Sequence, residues 1–236
     1  MTPFPGGTAV SHLWVYDWLA EDGVSGGSPH LHTASAEGYV VIRGRGTLET
    51  LGSAGHRQTP LRQGTLLWFT PGTVHRLINN SGDLELIVVM QNAGLPEAGD
   101  AVLTYPREFL DDPEAYREAT TVTDHVEARQ RRDLAVQGYL ELREQVRRRG
   151  PSALIDLHRS AVELVRDKAV GWHHHVRRGV VQQAESAQRH LEALSQSDGG
   201  HLSDAAVFTA TEGSGTGMCG DLRTWDLDGA TMIHTP

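Results

Sequence analysis

The sequence holds a single cysteine, Cys219, so no disulfide can form within the chain and its stability must come from packing. No apolar run approaches the length needed to cross a bilayer. The opening stretch, Met1 to Gly7, has neither the basic start nor the apolar core of a secretory leader. These absences lead to the expectation of a cytoplasmic protein with no membrane partner. Net positive charge is also missing. The formal charge is −9, and a surface of that sign repels nucleic acids and anionic lipid on average, so no nucleic-acid partner is expected. What is present is 236 residues, 39% of them hydrophobic, enough chain to bury a substantial core.

The character of the chain changes near residue 111. Before it, short β-branched and aromatic runs (Leu13 to Leu19, Gly38 to Ile42, Leu66 to Phe69, Leu84 to Gln91) are punctuated by Gly, Pro and Asn, as in an antiparallel barrel whose interior takes alternate residues. After it, Asp124 with Glu127 resembles a capping box, and Leu134, Tyr139, Leu142 and Val146 follow at helical intervals. Gly150 and Pro151 break that helix. A second helix begins at Pro151 or Ser152, and Gly179 ends or kinks it before a third stretch, Val180 to Leu194. Beyond a linker at 195–200, Val207 to Thr209 and Leu222 to Leu227 read as strands that return to the barrel. The expected organisation is a β-barrel at 1–110 carrying a metal site, a helical segment at 111–196 and C-terminal strands at 197–236.

Two short segments carry the chemistry. His30 and His32 alternate with Leu31, so on a strand both imidazoles face one side and can approach one ion. The short residues Thr33 to Ala36 turn the chain and bring Glu37 beside the rings, at the head of a strand whose inward face carries Glu37, Tyr39 and Val41. His75 follows a Pro and Gly turn at Thr70 to Thr73 and is delivered from the far side. Three imidazoles and one carboxylate suit a divalent transition metal. By contrast, three adjacent imidazoles at His173, His174 and His175 lie about 100° apart on a helix and cannot converge on one ion. His234, near the terminus, is read as a solvated residue. The arginine clusters Arg129, Arg131, Arg132 and Arg147, Arg148, Arg149 are interspersed with Asp133, Glu141 and Glu144, which pair with them along a solvated helix and do not make a DNA-reading surface.

The pattern His30-x-His32, four residues, Glu37, six residues, Gly44 resembles the first motif of the cupins. Gly64, Gly72, His75 and Asn79 fall in register with the second. Gly23 is displaced by one from the leading glycine of the first motif, and Thr70 replaces the second motif's proline with Pro71 next to it. The resemblance covers about residues 10–95. It implies a cupin-type antiparallel β-barrel (a double-stranded β-helix, or jelly roll) with His30, His32, Glu37 and His75 as ligands of a divalent Fe, Mn, Ni or Zn ion.

Four protein ligands on an octahedral ion leave two positions for a small polar or carbonyl-containing molecule. The expected activity is that of a metal-dependent enzyme, either a dioxygenase or a sugar or ketoacid isomerase or lyase. The alternative is a non-catalytic metal-dependent binder or sensor of a small ligand. Glu37 (as a base) and Tyr39 (as a proton donor) are the catalytic candidates, and Trp68, Arg43 and Gln91 are further contacts for a substrate. The apolar stripes of the helices lead to the expectation of a homodimer.

Overall fold

The computed structural model describes residues 3–233; His234 lies outside them. Eleven strands form two antiparallel sheets among the described residues. They are β1 (Ala9–Val15), β2 (His30–His32), β3 (Glu37–Arg43), β4 (Arg45–Gly52), β5 (Gly55–Arg62), β6 (Leu66–Phe69), β7 (Val74–Asn79), β8 (Glu85–Met90), β9 (Ala101–Leu103), β10 (Phe208–Thr216) and β11 (Gly220–Met232). One sheet has the order β10-β11-β1-β8-β3-β6 and the other β5-β4-β7-β2-β9. The two face each other as a jelly roll, so the chain is mainly β. Five helices follow β9: α1 (Arg107–Leu110), α2 (Pro113–Thr120), α3 (His125–Arg149), α4 (Leu154–Val176) and α5 (Gln182–Ser195).

Alternation decides what each strand buries. In β3, Glu37, Tyr39 and Val41 are buried between the sheets while Gly38, Val40 and Ile42 are only half-buried on the outer face. Leu13, Val15, Leu48, Leu77, Leu86 and Val88 complete that inner core. Strand β7 breaks the alternation, because all six of its residues are buried. A strand hidden on both faces needs a cover on the side away from the barrel. Here the cover is helical: Leu31, Leu51, Val74 and Val102 pack outward into one cluster with Tyr139, Leu142 and Val146 of α3 and Leu154, Leu157 and Ala161 of α4.

Polar groups trapped beneath that cover are paired. Arg76, fully buried on the outward face of β7, donates to both carboxylate oxygens of Asp22 at 2.6 and 3.1 Å. Next to it Glu49 accepts from Gln58 at 2.7 Å and from the Tyr139 hydroxyl at 3.2 Å. Burial disfavours the charge on Asp22, but the hydrogen bonds and charge of Arg76 outweigh it and hold this carboxyl below its usual range.

Several elements differ from the sequence reading. The hairpin β4–β5 was not legible there; its second strand is an edge with mostly exposed side chains, and the edge is where Pro60 is tolerated in a sheet. The C-terminal strands run much further than Val207 to Thr209 and Leu222 to Leu227, because glycines, threonines and aspartates of low strand propensity pair with each other and with β1. Asp124 caps α3 by accepting from the amides of Val126 and Glu127 at 2.8 and 2.9 Å, but Glu127 reaches back to Thr123 and not to Asp124. Gly179 does not end a helix: α4 continues into α5 through one widened turn at Arg177–Val181.

The same substitution at two helical glycines should have opposite effects. A Cβ on Gly138 of α3 would lie 2.1 Å from the Thr104 carbonyl oxygen, whereas one on Gly171 of α4 would meet nothing within 4 Å. Gly138→Ala is expected to destabilise by about 2 kcal/mol or more. Gly171→Ala should stabilise by about 0.5–1 kcal/mol. Thermal unfolding of the two variants checks the signs. A carboxyl held below its ordinary value adds stability that is present above the unfolded pKa and is lost as pH falls through the folded one. Asp22→Asn should therefore be less stable than the parent at neutral pH, and denaturant titrations should show the gap closing as pH drops below about 4.

Candidate metal centre

His30 and His32 leave β2 on its inner side, and Leu31 on the other side packs into the helical cluster. His75 is the cross-strand partner of His30 in the same sheet. It therefore stands beside the pair and is not delivered from the far side. Glu37 is the candidate ligand that comes from the opposite sheet, at the start of β3. The loop from Thr33 to Ala36 is the bridge between the sheets, so a three-residue strand supplies two groups and a sheet crossing supplies the fourth.

The structure brings all four together. One ligand atom from each of His30, His32, Glu37 and His75 lies within 4.8 Å of the others, and all four residues are buried. The Glu37 Oε2 atom is 3.2 Å from His32 Nε2 and 3.2 Å from His75 Nε2. On the outer side, His30 Nδ1 donates to the Ser28 carbonyl at 2.9 Å and His75 Nδ1 to the Thr73 carbonyl at 3.2 Å. An imidazole that donates from Nδ1 carries a lone pair on Nε2, the form that ligates a cation. Glu37 Oε2 and His75 Nε2 have no hydrogen-bond partner and are sealed from solvent. Unpaired buried polar atoms cost free energy unless something satisfies them. A divalent ion would satisfy this donor set, which is of the borderline nitrogen and oxygen type.

The electrostatics match. Burial holds His30 neutral, with the neighbouring His75 and His32 acting in the same direction. Burial also opposes charge on His32, but Asp100 and Glu37 more than compensate and push it up to about 9. Burial opposes ionisation of Glu37 as well, yet the surrounding imidazoles keep it well below the carboxylate range. Burial and the Glu37 charge push Tyr39 well above the usual phenol value, so Tyr39 keeps its proton.

Among the remaining candidates, Tyr39 is fully enclosed on the inner face two positions from Glu37. Trp68 is 72% exposed, because Phe69 pairs with Glu37 and takes the inward position, its ring 4.4 Å from that of His75. Arg43 is an exposed side chain at the end of β3, paired with Asp83 and Glu85 at 3.3 Å each. Gln91 is exposed too, and its side-chain oxygen accepts from the Ala36 amide at 3.2 Å. Trp68 and Arg43 therefore stand outside the site, and Gln91 serves the loop.

Asp100 is a support of the candidate site that the sequence did not expose. Wholly buried, it accepts from Thr33 N at 2.8 Å, Thr33 Oγ1 at 2.6 Å, Ala34 N at 2.7 Å and Ser35 N at 3.0 Å. Its other side lies 3.5 Å from His32 Nδ1. One carboxylate thus fixes the loop that joins His32 to Glu37 and supplies charge behind His32. No spacing rule connects it to the histidines, because it arrives from the turn before β9. Two other supports come from distant chain: His158 of α4 donates to the Gly72 carbonyl at 3.0 Å, beside the His75 turn, and Cys219 places Sγ 4.0 Å from His30 Nδ1. Asp100→Ala would leave the amides of Ala34 and Ser35 without an acceptor, whereas the Thr33 amide keeps the main-chain carbonyl of residue 100 at 3.1 Å. We expect a loss of about 3 kcal/mol in unfolding free energy and faster amide hydrogen exchange at Ala34 and Ser35 than elsewhere in the barrel.

Residues 19–90 match the family model for the cupin domain. Among curated proteins, none matches. Solved structures similar to this chain include a conserved protein with a double-stranded β-helix domain from Klebsiella pneumoniae, at 20% identity over 36% of this chain and 64% of that one, with a TM-score of 0.27. A TDP-fucose-3,4-ketoisomerase from Campylobacter jejuni is similar at 16% identity over 39% of this chain and 64% of that one, TM-score 0.32. A predicted oxalate decarboxylase from Thermotoga maritima is similar at 21% identity over 36% and 64%, TM-score 0.27. The chain spans a little under two thirds of the length of each of these. No helix among the described residues is long and apolar enough to cross a membrane.

Proposed function

From the premise that residues 19–90 are a cupin domain, we propose that this protein is a metal-dependent enzyme acting on a small polar or carbonyl-containing molecule. His30, His32, Glu37 and His75 would hold the ion. The observation that carries this reading is that the inward-facing Glu37 Oε2 and His75 Nε2 have no hydrogen-bond partner while the outer nitrogens of His30 and His75 are tied to backbone carbonyls. When bound, a divalent ion supplies Lewis-acid polarisation of a carbonyl or a site for oxygen chemistry, according to its identity.

The chain's own groups divide the remaining work. Tyr39, held protonated beside Glu37, is suited to give a proton or a hydrogen bond to a developing oxyanion. Glu37, held ionised, is a ligand that can also accept a proton. Phe69 and the apolar barrel beneath exclude water from the Glu37 side. Dioxygenase and isomerase or lyase chemistry both use this arrangement, and the metal decides between them.

The test is metal analysis of protein purified without chelators, with oxygen uptake followed on candidate keto and sugar substrates. Bound iron with turnover-dependent oxygen loss supports an oxygenase, and nickel, manganese or zinc with substrate turnover but no oxygen loss supports an isomerase or lyase. Ligand binding without turnover would leave a sensor and contradict the enzyme reading. His75→Ala and His30→Ala should each lower metal affinity at least about tenfold; undiminished stoichiometry in both contradicts the site. Because His32 keeps its proton up to about 9, an ion must displace it. Affinity measured by competition titration is therefore expected to rise by about tenfold per pH unit between pH 6 and 8.

A further inference from the structure

Strands β1 and β11 run together only part of the way. They pair from Val15 with Gly220 to His12 with Arg223, after which β11 continues with β10 alone to Met232 and β1 continues with β8 alone to Ala9. The sheet opens there. A cleft of about 900 Å³ lies in the gap, between the β10–β11 hairpin, the turn at 93–98 and the junction of α4 with α5. That volume is within the range of about 300–1,000 Å³ of small-ligand pockets. Two glycines fix the walls. A Cβ on Gly7 would lie 2.5 Å from the Val180 amide nitrogen, and one on Gly94 would lie 2.5 Å from Nδ1 of His175. Their absence lets the N-terminal segment and the 93–98 turn sit against the helix, so the cleft is ordered before anything enters it.

The lining combines aromatic rings with an excess of negative charge. Phe4, 42% exposed, and the half-buried Trp225 supply the rings. Glu97, Glu212, Asp226 and Asp228 supply four carboxylates against the one guanidinium of Arg178. Arg178 lies 3.8 Å from Asp228, and Glu212 lies 3.8 Å from Arg223 outside the cleft. Asp226 accepts from the Gly229 amide at 2.9 Å, and neither it nor Glu97 makes an ion pair among the described residues. Burial, with His174 beside it, holds His175 below its ordinary value, so that ring is neutral at pH 7 and does not offset the acids. The four carboxylates are spread out: among the described residues, the barrel site is the only group of three or more able to share a metal ion. A single small cation therefore leaves most of them unmet. A chain that carries separate positive charges along methylene stems meets several at once, with its ammonium groups at the carboxylates and its stems on the rings. The open edge of β11 adds main-chain carbonyls as acceptors.

We propose that this cleft binds a linear aliphatic polyamine, with Glu97 and Asp226 pairing with its ammonium groups and Trp225 packing on its stem. The proposal is independent of the metal reading, since none of His30, His32, Glu37 and His75 lines the cleft.

Spermidine is the probe. Calorimetric titration of the full chain at pH 7 and about 50 mM salt, where screening is weak, is expected to show one molecule bound per chain with a dissociation constant below about 1 mM. Butylamine, with a single ammonium group, should bind at least about tenfold more weakly. Glu97→Gln with Asp226→Asn is expected to weaken spermidine binding at least about tenfold, as loss of charged hydrogen-bond partners does, and Trp225→Leu at least about threefold. Glu118 is an exposed carboxylate on α2, outside the cleft, so Glu118→Gln should bind as the parent does. No binding below about 1 mM, several molecules per chain, butylamine binding as tightly as spermidine, cleft variants that bind like the parent, or an equal loss in Glu118→Gln would overturn the proposal. The last of these would mean attraction to the net charge of the chain alone.

Discussion

The molecule is arranged around four buried polar side chains that satisfy one another only in part, with Glu37 Oε2 and His75 Nε2 left without a hydrogen-bond partner. Three imidazoles and a carboxylate lie in a dry barrel with their ligand atoms within 4.8 Å. In a low-dielectric interior that arrangement persists only if the surroundings over-determine it. The surroundings do so from outside: Ser28 and Thr73 carbonyls hold His30 and His75, and Asp100 holds the loop between His32 and Glu37. The orientation of the inner atoms is a consequence of bonds made by the outer ones.

The helical segment belongs to the same constraint. Strand β7 carries His75 inward and Arg76 outward, and the outward half would be an unpaired charge in solvent-free surroundings without Asp22. By covering that face, α3 and α4 turn a two-layer sandwich into a three-layer body and bring His158 onto the turn before His75. The C-terminal hairpin does the equivalent work at His30. The carbonyl of Gly217 accepts from Tyr16 and Arg131, that of Met218 from the Ser28 amide at 3.0 Å, and Cys219 packs against the backbone that precedes the ligand.

The cupin fold, and the four residues that the structure gathers at the candidate site, were legible in the sequence for a physical reason. The two motifs combine residues whose types are dictated locally: histidines at period two, and glycines at Gly44, Gly64 and Gly72 that each adopt positive φ, where other residues are strained. Inward and outward faces of β3 followed from alternation alone. The sheet that carries each ligand did not, since period two says which residues share a side but not which strand is the neighbour; hence His75 was assigned to the wrong wall. Trp68 was favoured over Phe69 because the inward phase of a four-residue strand is fixed by its pairing to Glu37, a long-range fact. Asp100 was invisible because its partners are backbone amides 65 to 67 residues away, and amides leave no signature in a sequence.

The most direct measurement of the central claim is X-ray absorption at the metal edge of the protein loaded with nickel or cobalt. The account predicts scattering from three imidazole rings and one carboxylate oxygen at about 2.0–2.2 Å. Scattering from one imidazole or none would mean that the four groups do not share an ion, and would contradict it.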